Sequence, residues 1–167
     1  MAQATRDTKK IHDVLVDMLR LWPNDPAVQN DEAYMRLLLM SSPQSQVESK
    51  KAKVEKEELS TLNSQPSTLS EIEALAEKLV QREPASMPHR TLLALARLKQ
   101  NRAAEALEVY ANIQVAANAL TPSALAVHAA VLAANDKTED AKTEAGQIKI
   151  DNLVQEEKQL IQDLLSN

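Results

Sequence analysis

At 167 residues the chain has the size of one domain, long enough to bury a core of its own. It has no cysteine, which excludes disulfides and thiolate metal sites, and its single glycine cannot build a phosphate-cradling loop. The formal net charge of −5, with four basic and eight acidic groups over residues 111–167 and no basic stripe interleaved with aromatics, argues against a nucleic-acid partner.

Alanine and leucine dominate, Glu, Gln and Lys fill the polar positions, and the alternating β-branched runs of a sheet are absent, so the chain reads as all-α. The stretch Met1–Lys10 is polar with no apolar h-region, and no apolar run is long enough to span a bilayer. Neither a signal peptide nor membrane insertion is therefore expected, and the default compartment is cytoplasmic.

The first helix, about 6–21, places Ile11, Val14, Leu15, Met18, Leu19 and Trp22 on one stripe, with Trp22 expected in the core. The second, about 27–41, is apolar at its end and should be buried. A third, about 44–63, is dense in charge (Glu48, Lys50, Lys51, Lys53, Glu55, Lys56, Glu57, Glu58) with a thin stripe of Val47, Val54, Leu59 and Leu62. The fourth, about 68–82, presents Leu69, Ile72, Leu75, Ala76 and Leu79, and Thr68 with Glu71 reads as its capping box. Four more follow at about 87–99, 102–115, 122–134 and 137–148. A last helix, about 150–165, carries Ile150, Leu153, Val154, Leu160, Ile161, Leu164 and Leu165 opposite its charges, as a terminal cap docked on the preceding hairpin would. Nine helices leave the first without a partner in a strict hairpin count.

Seven prolines fall in the connections or first turns, several behind an N-cap: Asp25-Pro26, Ser42-Pro43 and Thr121-Pro122. With almost no glycine, the tight turns fall to Asn101, Asn135 and Asp136, which tolerate left-handed backbone.

Met87–Ile113 and Pro122–Ile148 read as one helical hairpin written twice, 35 residues apart, with Ala106-Leu107 opposite Ala141-Lys142. Leu93-Ala94, the turn at Asn101, Ala106 and Tyr110 resemble the tetratricopeptide repeat (TPR), and Ala129, Asp136 and Ala141 recur at the same spacing. Arg82-Glu83-Pro84 resembles the proline-bearing link at a repeat's end. The resemblance covers about 68–148. It departs from the family pattern in lacking its glycines and the aromatic near the start of the first helix. It implies one domain over 1–167: a short right-handed superhelix of stacked hairpins, with a groove lined by the first helix of each and used to hold a partner's peptide or helix. The family's carboxylate clamp is not expected, because Pro122–Ala134 holds no Lys, Arg or Asn. Arg90, Arg97 and Lys99 are the candidate partner-binding residues. The helix 123–134 is apolar on every side, so it is either buried on both faces or lines an apolar groove; burial by the closing helix or the N-terminal part is preferred.

No reactive constellation stands out. The serines lie mostly in caps and polar links, and no pair among His12, His89 and His128 shares a helix face at metal-ligand spacing. His128 reads as a hydrogen-bonded core residue, His89 as a surface one, and Glu57-Glu58 and Glu156-Glu157 as solvated faces. The expectation is a non-catalytic protein-interaction or scaffold module with no cofactor and no metal, binding a protein or peptide. The alternative is a structural or oligomerisation domain of a larger assembly, a homodimer included, or a fragment of a longer protein.

Overall fold

The computed structural model describes residues 7–40, 64–111 and 120–165, and along 64–67 the backbone alone. Nine α-helices occupy these residues: α1 (Thr8–Leu21), α2 (Pro26–Leu39), α3 (Ser64–Arg82), α4 (Met87–Lys99), α5 (Ala103–Glu108), α6 (Pro122–Ala134), α7 (Thr138–Ala145), α8 (Gln155–Leu160) and α9 (Gln162–Leu165). No strand occurs among the described residues, so the protein is all-α. The charged helix expected over 44–63 and the end of the one expected over 102–115 lie outside them.

Local chemistry sets most helix starts. The Asp25 carboxylate accepts from the amides of Ala27 and Val28 at 2.9 and 3.1 Å, and the Thr121 hydroxyl accepts from the amide of Ala124 at 3.2 Å. Pro26, Pro88 and Pro122 each sit in a first turn, where a missing N–H leaves nothing unsatisfied. For α3 the expected start is wrong. The helix begins at Ser64 with Pro66 in its first turn, where no amide is needed, so Thr68 is interior and is not the N-cap.

Helix ends repeat across the two hairpins. Asn101 and Asp136 both stand at φ 60°. The amide of Asn101 bonds the Leu98 carbonyl and that of Arg102 bonds Arg97, while Asp136 bonds Ala133 and Lys137 bonds Leu132, the same pair of closures 35 residues on. This is the Schellman arrangement with Asn and Asp in the position glycine usually takes. Ala94 and Ala129, and likewise Ala106 and Ala141, are wholly buried at equivalent places, which lets the helix backbones approach closely.

The packing follows from these closures. Helix α1 lies on α2, α3 on α4, α4 on α5, and α6 on α7; α2 touches α4 and α4 touches α6, so α2, α4 and α6 form a row. The main core joins Ala33, Tyr34, Leu37 and Leu38 of α2, Ile72, Ala76 and Leu79 of α3, and Leu92–Ala96 of α4. It continues through Ala106 and Val109 to Val127 and Val131 of α6. Leu125, Ala126 and Ala129, on the other side of α6, form a second cluster with Ala145, Ile148, Leu153 and Ile161. The all-round apolar helix is thus buried on both faces.

The segment after Ile148 is not the single helix expected over 150–165. A 3-10 turn (Ile150–Asn152) leads into extended Leu153 and Val154, then α8, a break at Ile161 with φ −116°, and α9. Helix α8 contacts α6 and also α2, so the segment reaches past the last hairpin to the first.

Candidate functional site

The three candidate basic residues all sit on α4, whose neighbours are α2, α3, α5 and α6. Arg90 donates from Nε to the Pro84 carbonyl at 2.7 Å and from Nη1 to the Val109 carbonyl, pinning the α3–α4 link to the end of α5. Arg97 donates to Glu73 Oε1 at 3.3 Å, Glu77 Oε1 at 3.2 Å and the Glu105 carbonyl at 3.2 Å. Lys99 is half-buried, and burial holds its ammonium below the ordinary lysine value. The guanidinium donors of Arg90 and Arg97 therefore face the chain's own acceptors. Sequence spacing showed that the basic residues shared a helix; it did not show that α3 and α5 supply their counter-groups.

Around Glu73 these contacts form a network. Arg102 Nη1 reaches both Glu73 oxygens at 2.8 Å, Gln100 Nε2 donates to Oε2 at 2.8 Å, and Arg102 also pairs with Glu105. Burial works against the Glu73 carboxylate, but the hydrogen bonds from Gln100 and Arg102 and the Arg102 charge outweigh it and hold its pKa below the usual value.

The histidines divide differently from expectation. His128 Nδ1 lies 2.7 Å from Glu144 Oε2, and its ring meets Tyr110 edge-on with centroids 4.6 Å apart. The hydrogen bond is as expected, but the residue is half-buried and not part of the core. His89, expected at the surface, is only 5% exposed. It opens α4 on the same stripe as Leu92, Leu93 and Ala96, and α4 is enclosed by four helices, so its first turn meets protein where a peripheral helix would meet water. His12 Nε2 lies 3.1 Å from Glu32 Oε1, which in turn lies 3.5 Å from Arg36 Nε.

The row α2–α4–α6 is where the family resemblance would place a groove, and the C-terminal segment touches its two outer members, α2 and α6. Val154 is buried there in the main core, together with Glu157, which is 1% exposed, while Leu153 and Ile161 are buried in the second cluster. The Tyr34 hydroxyl of α2 donates to Glu157 Oε1 at 2.9 Å, and the Val154 amide donates to Oε2 at 2.9 Å. The Thr8 hydroxyl of α1 donates to Glu156. Burial first, and then the Glu157 charge, raise the Tyr34 phenol well above its ordinary pKa, so it stays a donor. The reading of Glu156-Glu157 as a solvated face is corrected for Glu157. One signal could have found it: Glu157 follows Val154 by three residues and precedes Ile161 by four, so it falls on their apolar stripe.

The remaining surface of note is α1. Trp22, expected in the core, is 54% exposed. The helix ends at Leu21, and the Trp22 backbone (φ −130°, ψ 66°) leaves the helical path, off the stripe that Leu15 buries. Val14 and Leu21, seven residues apart on one edge of α1, are 60% and 70% exposed. On the opposite edge an open groove of about 550 Å³ runs between Val16, Leu19 and Arg20 of α1, Glu32 and Arg36 of α2, and Leu75 of α3. The apolar arc of α1 is wider than α2 covers.

Among the described residues no three of His, Asp and Glu are placed to hold a metal ion, and no helix is long and apolar enough to cross a membrane. Comparison of the chain with protein-family models, with curated proteins and with solved structures finds no match.

Proposed function

We propose that the chain is a non-catalytic protein-interaction module of TPR-like build, which binds an apolar segment of a partner protein along the uncovered edge of α1. The observation that carries this reading is the exposure of Val14 and Leu21 on α1 and of Trp22 just past its end, three of the five large apolar side chains that stand exposed among the described residues. Contiguous exposed apolar surface on a folded domain marks interaction sites. The groove on the other flank of α1 gives a partner a second place to seat a side chain. Arg90 and Arg97, engaged within the chain, serve the reading better as supports of the scaffold than as contacts.

The rival reading, an oligomerisation domain, is supported by the same edge, because a second copy would cover it as well as a foreign partner. Sedimentation velocity and capture from native extract, run on the wild type and on Val14→Glu with Leu21→Glu, separate the two. A wild-type monomer whose captured protein is lost in the variant supports the module. A wild-type symmetric dimer that the variant dissociates supports the rival. A variant that melts normally and changes neither result overturns both.

A further inference from the structure

The C-terminal segment has the features of a bound ligand more than of a structural cap. It is joined to the last hairpin through extended residues, Leu153 (ψ 148°) and Val154 (ψ 166°), and its helices span six and four residues, too short to persist alone. Its hold on the row rests on few side chains: Val154 and Glu157 are buried against it, Leu153 and Ile161 are buried on the other side of α6 with Leu160 and Leu164 packed beside them, while Gln155, Gln159, Gln162, Asp163 and Leu165 are exposed. The central contact is a carboxylate met by a neutral hydroxyl and by the segment's own amide. Such a contact fixes register strongly and adds little net strength, because the carboxylate has lost its water. Docking of this kind is specific and reversible.

We infer that residues 153–161 are an exchangeable internal ligand of the α2–α4–α6 row. They hold the row closed, and an external helical segment with two adjacent apolar residues, a glutamate three further on and an apolar residue four beyond that takes their place. The inference rests on reading the chain as an interaction module, and it adds a second, normally covered surface to the edge of α1.

The test uses the full-length chain and a fluorescent peptide of sequence 150–165, followed by polarisation. Glu157→Ala in the chain weakens the internal ligand and leaves Tyr34 in place, so the natural peptide is expected to bind at least tenfold more tightly to this variant than to the wild type. A peptide with alanine in place of the glutamate equivalent to Glu157 is expected to lose that gain. In a second variant, Thr8→Cys with Glu156→Cys, the introduced thiols are the only ones in the chain, and a short bis-thiol reagent joins them across the contact between those residues. Joining is expected to abolish peptide binding that the unjoined form retains. Equal binding of both peptides to the Glu157→Ala chain, or equal binding before and after joining, overturns the inference. So does the absence of binding to a Glu157→Ala chain that melts cooperatively. If the α1 variant still loses its partner while the peptide fails to exchange, this inference falls alone and the interaction-module reading stands.

Discussion

Glu73→Gln isolates the charge at the centre of the α3–α4–α5 network while keeping the side chain's shape. In the native protein both carboxylate oxygens accept from Arg102 at 2.8 Å, and Gln100 and Arg97 add contacts at 2.8 and 3.3 Å. Hydrogen bonds to a charged group contribute roughly 1.5–3 kcal/mol each in mutational series. The Arg102 side chain is 35% exposed, so solvent screens its share, and glutamine keeps one acceptor. The net loss expected is about 2 kcal/mol, a fall of roughly 4–8 °C in Tm for a domain of this size. The pKa of Glu73 is lowered in the folded state, so its stabilisation is present above the unfolded carboxylate value of 4.5 and is lost as pH falls through the lower folded value. Thermal unfolding followed by circular dichroism at pH 7 and at pH 3 should therefore show a large difference between wild type and variant at the first pH and a much smaller one at the second. A difference unchanged between the two pH values would refute the electrostatic account and leave only packing.

Leu125→Asp or Leu132→Asp should each abolish the cooperative melt, since either places a carboxylate in α6, which is buried on both faces; a normal melting curve for both would mean that α6 faces solvent. Asn101→Val should lower stability by about 1–2 kcal/mol and Asn101→Gly should not, because φ 60° disfavours a β-branched side chain; equal stabilities in denaturant titration would remove the turn argument. Trp22, the only tryptophan, should be quenched readily by acrylamide in the native state, and the same quenching should fall when a partner covers the edge of α1. Failure to quench in the free chain would place the ring in the core after all.

Much of this architecture was legible in the residues, and the reason is local. Where glycine is absent, Asn101 and Asp136 are among the few residues that enter left-handed backbone at low cost, so the turns announced themselves. The alanines 35 residues apart marked close helix contacts, and a helix without a polar face had to be covered on both sides. What escaped depends on which elements meet in space. His89 opens a helix, as many surface histidines do, and only the enclosure of α4 buries it. Arg90 and Arg97 stand on a helix expected to line a groove, but their acceptors lie on α3, on α5 and at its end, and in the link between α3 and α4. Glu157 carried a faint signal in its own stripe, yet Tyr34, more than a hundred residues away, gives it a purpose.

That last contact also bears on how long such a protein can be. Open stacks of repeats gain or lose units freely, because each unit touches only its neighbours and both ends melt on their own. Here the closing segment grips Tyr34 in the first of three row helices and Thr8 in the helix before it. An inserted hairpin between α5 and α6 would carry Glu157 away from Tyr34 by at least one helix spacing, about 8–10 Å, beyond any hydrogen bond. The contact ties the first and last described helices together while the segment is docked, and an added hairpin would remove it.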